Sequence, residues 1–188
     1  MIPPFARGPG PVAVLIALLG AGLGAQSAAK STRPRAEVDP PPPVVSRATR
    51  HLTFTATLSH SVIAPGGRMS IVVDVVPKKG MHVYAPGSQY RAVAISLARQ
   101  PGLRLHETVY PQAARYTFKP LNEEVLVYAE PFRLVREVTA VDTADHRARV
   151  APTARVPIRA QLDYQACDDR VCYLPTSVAF DWTVRVTR

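Results

Sequence analysis

The chain has 188 residues, 47% of them apolar, and carries a formal net charge of +9 from 23 basic and 14 acidic side chains. That length suits one domain with a core of its own. The basic surplus is scattered as single Arg residues with no basic run interleaved with aromatics, which argues against a nucleic-acid surface, and no segment after the N-terminal leader is long and apolar enough to cross a bilayer.

The leader comes first. Arg7 supplies a positive charge, residues 12–19 form an apolar run, and small residues fill 20–25. This is the order of a secretory signal peptide, expected here over residues 1–29, with cleavage after Gly24, Ala25 or Ala29. The apolar run is shorter than the roughly 20 residues a membrane span needs. No cysteine lies near the cleavage zone, so a lipid-anchored lipoprotein is not expected. The mature chain is expected in an oxidising periplasmic or other extracytoplasmic space, where disulfides form and persist. Residues 30–50 follow, with Pro34 and the run Pro40, Pro41, Pro42 and Pro43, and read as an extended, disordered linker. The folded domain is expected over residues 51–188.

Within it the apolar period is two. Residues 52–58 alternate apolar side chains with Thr, as a half-buried strand does. Residues 69–76 are β-branched and read as a more buried strand, reached through the Pro65-Gly66-Gly67 turn. Further strands are expected at 81–84, 93–98, 103–109, 125–128, 132–138, 155–164 and 178–186, with Pro131 breaking one pair. Pro157 places its strand at an edge or a bulge, because proline cannot donate to a ladder. Trp182 is expected in the core. About eight short strands with no convincing amphipathic helix predict an all-β, antiparallel β-sandwich.

Cys167 and Cys172 are the only cysteines, with four residues, Asp168-Asp169-Arg170-Val171, between them. A short hairpin can bring them together. Zinc would need two more ligands, and His51, His60, His82, His106 and His146 show no ligand spacing, so neither a metal nor another cofactor is expected. Spacing alone leaves two readings open. One is a structural disulfide that pins a hairpin in an immunoglobulin-like binding module. The other is a redox-active pair, since strained or exposed short-loop disulfides are the labile ones. Asp168 and Asp169 disfavour a thiolate and Arg170 favours one, which suits a relay better than an aggressive nucleophile.

The stretch Tyr164-Gln165-Ala166-Cys167-Asp168-Asp169-Arg170-Val171-Cys172-Tyr173-Leu174-Pro175 resembles the active-site hairpin of the N-terminal periplasmic domain of DsbD, the thiol:disulfide interchange protein. Gly80-Met81-His82-Val83-Tyr84 is similar to that family's strand beside the active site, and residues 109–132 to the region carrying its cap loop. The resemblance covers residues 52–186 and implies an immunoglobulin-like sandwich that exchanges thiols and disulfides. It implies that Cys172 joins to the partner and that Cys167 resolves the mixed disulfide. Phe118, or else Tyr116, would be the cap aromatic, and His82, Tyr84 and Tyr164 would line the site. Arg115 and Thr117 flank the cap position where the family carries acidic residues, a departure that bears on thiol tuning. The family's full-length members continue into a membrane conduit and a thioredoxin-like domain. This chain ends at Arg188, so the resemblance implies thioredoxin-like periplasmic proteins and a membrane thiol-reductant transporter as partners in trans.

Overall fold

Strong alternation places the inner faces of two sheets. In the computed structural model, which describes residues 41–145 and 155–187, the first sheet has the order β1 (Val44–Ala48), β2 (Leu52–Leu58), β4 (Arg68–Pro77), β10 (Phe132–Ala140) and β7 (Leu103–Val109). The second has the order β3 (Val62–Ile63), β13 (Thr176–Val186), β11 (Arg155–Tyr164) and β6 (Ala94–Leu97). Every named pairing is antiparallel except that of β13 with β3. On β2, Leu52, Phe54, Ala56 and Leu58 point inward and the intervening Thr side chains do not. Register sets Phe54 opposite Val75 and Ala56 opposite Val73 on β4, so one slip of register would expose the whole row. From the other sheet Ile158, Leu162, Phe180, Trp182 and Val184 close the same core. Phe54 meets Phe180 across it, with ring centroids 5.3 Å apart. The result is an immunoglobulin-like antiparallel β-sandwich, as expected.

Arg136 joins the two sheets at one side. Its guanidinium donates to the His106 carbonyl at 2.8 Å and to the Ile95 carbonyl on β6, beside a register shift between β10 and β7.

A third sheet, with the order β12 (Ala166–Cys167), β5 (His82–Tyr84), β9 (Glu123–Tyr128) and β8 (Ala114–Phe118), carries the cysteines. Residue Gln165 separates β11 from β12, so a core strand feeds directly into the hairpin. Gly80, at φ +78°, turns the chain into β5.

Several expectations need correction. Val44–Ala48, inside the span read as a disordered linker, is a strand paired along its whole length with residues 53–57 of β2. Extended proline-rich chain and β-strand are neighbours in backbone space, so a partner strand suffices to convert one to the other. Residues 1–40, with the signal peptide and the rest of the linker, lie outside the described residues. The strand count rises above eight, since β1, β3, β8 and β12 were not expected. Residues 114–118, read as part of a cap loop, form one arm of a β-hairpin. Pro157 does sit where β11 is locally an edge, because β6 covers only Ala160 to Asp163. The Gln100 side chain stands in for the missing strand there, donating to the Pro157 carbonyl and accepting from the Arg159 amide.

Candidate redox site

The hairpin is built from its own polar residues. The Asp168 amide donates to the Val171 carbonyl at 3.0 Å and the Tyr173 amide to the Ala166 carbonyl at 2.9 Å, which brings Cys167 and Cys172 opposite each other. The Asp168 carboxylate accepts from the Arg170 and Val171 amides at 2.8 and 2.7 Å and from the Tyr173 hydroxyl at 2.8 Å. These donors favour the ionised form and hold its pKa below the usual carboxylate range. Cys167 and Cys172 form a disulfide with a Cα separation of 4.1 Å.

The two sulfurs differ in access. Cys167 is fully buried, whereas Cys172 is half-buried. Cys172 is preceded by the exposed Val171, and the exposed Leu174 lies two residues beyond it. Beneath the bond the Tyr84 oxygen lies 2.9 Å from the Cys167 sulfur and 3.1 Å from that of Cys172. Bonded sulfurs carry no proton, so the tyrosine hydroxyl is the donor. Burial pushes the Tyr84 pKa up to about 12, which keeps that proton in place at neutral pH.

The register explains why these groups meet. β12 pairs with β5, setting Cys167 opposite His82 and Ala166 opposite Val83. Tyr84 follows two residues on, on the same face as His82. The Tyr84 ring stacks on Tyr90 at 4.4 Å, and Tyr90 donates its hydroxyl to Glu123 at 2.5 Å. Gln89 donates to the same carboxylate at 2.9 Å, so the loop after β5 is tied to the β8–β9 hairpin. The His82 ring lies 4.4 Å from that of Tyr116. Burial lowers the His82 pKa, opposed by the Asp168 charge.

Of the residues singled out from sequence, Cys167, Cys172, Tyr84 and Tyr116 fall into one cluster with Val125 and Val127, and His82 borders it. Phe118 is buried near the tip of the β8–β9 hairpin, two residues beyond Tyr116 on the same face, outside that cluster. Tyr164 packs in the main core and gives its hydroxyl to Thr49 at 2.9 Å. Residues not anticipated complete the surroundings. His51 packs on Tyr173 at 4.5 Å, and the Arg50 guanidinium lies 5.0 Å from the centre of the Tyr173 ring. The Gln165 amide donates to the Tyr173 carbonyl at 3.1 Å. Tyr173 was open to notice as a neighbour of Cys172; Tyr90, Glu123 and His51 carry no local signal. Among the described residues no group of three His, Cys, Asp or Glu could hold a metal ion, and no helix is long and apolar enough to cross a membrane.

The fold and site together define a β-sandwich domain that presents one disulfide hairpin on an added, tyrosine-rich sheet. The family model described as "Thiol:disulfide interchange protein DsbD, N-terminal" matches residues 51–183, and the chain belongs to that family. Among solved structures the chain is similar to the N-terminal periplasmic domain of ScsB from Proteus mirabilis, at 12% identity and a TM-score of 0.47, over 74% of this chain and 49% of that one. It therefore spans about half the length of that relative. No curated protein matches the chain.

Proposed function

We propose that this is an extracytoplasmic thiol:disulfide exchange domain which, as a dithiol, passes two electrons to an oxidised partner protein. The observation that carries this reading is the asymmetry of the pair: one half-buried and one fully buried sulfur, with a single protonated hydroxyl in reach of both.

The Cys172 thiolate attacks a partner disulfide, forming a Cys172–partner bond and releasing the partner's other sulfur as a thiolate that takes up a proton. Cys167 then gives up its proton and attacks the Cys172 sulfur. The mixed disulfide breaks, the partner leaves as a dithiol, and the domain is left oxidised. Tyr84 donates a hydrogen bond to whichever sulfur carries negative charge. The β8–β9 hairpin, with Tyr116 and Phe118, restricts approach to the pair, and the exposed Val171 and Leu174 offer the partner apolar contact beside Cys172. Regeneration requires a second dithiol to reduce the Cys167–Cys172 bond. A thioredoxin-like protein or a membrane thiol transporter supplies that chemistry.

The test uses a thioredoxin-like protein in its disulfide form. Cys167→Ser should accumulate a stable mixed disulfide through Cys172, and Cys172→Ser should exchange with nothing. Normal exchange by Cys172→Ser overturns the proposal.

A further inference from the structure

His82 is placed for a role that the exchange scheme leaves unfilled. The second step removes a proton from Cys167, a side chain with no exposed surface. Water does not reach that sulfur, and burial disfavours a lone thiolate. Directly opposite, in register across β12 and β5, stands His82. Opposed residues of an antiparallel pair share a face, with Cβ atoms about 5 Å apart. The imidazole is only 4% exposed, and its buried Nε2 has no hydrogen-bond partner among the described residues. An unsatisfied buried ring nitrogen calls for a reason.

The geometry points to His82 as the general base for the resolving thiol: its neutral imidazole takes the Cys167 proton as the Cys167 sulfur attacks Cys172. This rests on the exchange reading. One S–S bond forms between Cys167 and Cys172, the Cys172–partner bond breaks, and the partner thiolate departs. The proton held on the imidazole then passes to that thiolate or to solvent. Transfer from thiol to imidazole leaves the pocket's net charge unchanged, whereas ionising Cys167 alone would bury an uncompensated anion. The titratable groups facing His82 are Cys167 and Asp168 from the hairpin, Tyr116 from β8 and Tyr84 from its own strand; β9 contributes the apolar Val125 and Val127. The Asp168 carboxylate supports the imidazolium that forms. Burial lowers the His82 pKa from 6.5, so the base form is the resting form at neutral pH.

The experiment mixes the reduced protein with an aromatic disulfide, dithiobis(nitrobenzoate), and follows thionitrobenzoate release by stopped flow. The first equivalent reports attack by Cys172 and the second reports resolution by Cys167. In the wild type the second phase should rise through the His82 titration below pH 6.5 and then stay flat to about pH 8. His82→Phe keeps the aromatic packing. Its second phase should be roughly 100-fold slower near neutrality and should climb about tenfold per pH unit with no plateau, while the first phase stays within about twofold. A plateau that survives in His82→Phe overturns the inference. So does a wild-type second phase that climbs without a plateau, a result that needs no variant. Exchange by Cys172→Ser would sink the exchange reading itself. A dead Cys172→Ser beside an unchanged His82→Phe profile sinks only the role of His82.

Discussion

Replacing Tyr84 with Phe removes one oxygen and little else. The ring keeps its stack on Tyr90 and its place in the buried cluster, so the lost interaction is the hydrogen bond to sulfur. A hydrogen bond to an ionised group contributes roughly 1.5–3 kcal/mol, and one between neutral groups roughly 0.5–1.5 kcal/mol. The hydroxyl therefore favours the Cys172 thiolate over its thiol by about 1–1.5 kcal/mol, and losing it raises the thiol pKa by about one unit. Below that pKa the thiolate becomes about tenfold rarer. The more basic thiolate is also about threefold more nucleophilic, so exchange near neutrality slows by only about threefold. Above both thiol pKa values the order reverses, and Tyr84→Phe becomes faster by about threefold. The assay is the pH–rate profile of the reduced proteins with a small disulfide, alongside thiolate absorbance against pH. Two profiles that run parallel without crossing, or a thiolate that titrates at the same pH in both proteins, would refute the assignment of Tyr84 as a donor to sulfur.

The turn and the two histidines give further predictions. The folded pKa of Asp168 is depressed, so its contribution is present above the unfolded value and lost as pH falls through the folded one. Asp168→Ala should lower Tm at neutral pH, and the difference should shrink as pH falls through that lowered value; thermal scans over a descending pH series check this. Burial lowers the folded pKa of both His51 and His82 from 6.5, so in acid the unfolded chain binds more protons than the folded one. Stability is then complete above pH 6.5 and is lost as pH falls through the lowered values. Urea unfolding at a series of pH values should show that decline in the wild type and a flatter profile in His51→Phe/His82→Phe. Equal slopes would count against both imidazoles being neutral in the fold.

How far the sequence reveals all this depends on the range of the forces involved. The alternation in Leu52–Leu58 and in Thr176–Val186 is local and imposed by a half-buried sheet, so both strands are legible as strands. β1 is not, because an edge strand needs only extended backbone and a neighbour, and the neighbour is invisible in composition. The β8–β9 hairpin hides for a different reason. Its turn does carry turn residues, Pro120 and Asn122 at φ +49°; what is weak is β8, only five residues long and mostly exposed. The cysteine pair is readable because its spacing is local. Its chemistry is less so: the hydroxyl beside Cys172 comes from 88 residues upstream, and Tyr90 finds Glu123 across 33 residues. Tyr164 shows the limit of motif reading. It stands three residues before Cys167, yet it ends one step back in the core strand, with its hydroxyl on Thr49.

Whether the disulfide is a clip or a carrier turns on what holds the hairpin when the bond is open. A closed loop with a sequence separation of 5 is small, and in the chain-entropy treatment a loop of this size is stabilised by about 2 kcal/mol. Against this stand contacts that do not involve sulfur. The Asp168 carboxylate binds two amides and the Tyr173 hydroxyl, Tyr173 closes the ladder onto Ala166, Gln165 holds the Tyr173 carbonyl, and β12 pairs with β5. None of these interactions requires the S–S bond. Reduction should therefore lower the unfolding free energy by no more than about 2 kcal/mol, with the Val171 and Tyr173 amides still protected from hydrogen exchange. A structural clip behaves otherwise: its removal typically destabilises by about 2–5 kcal/mol, and the turn amides exchange freely. A loss at the upper end of that range, with unprotected turn amides, would mean that the bond holds the fold, and a domain that loses its hairpin on reduction cannot present Cys172 for attack.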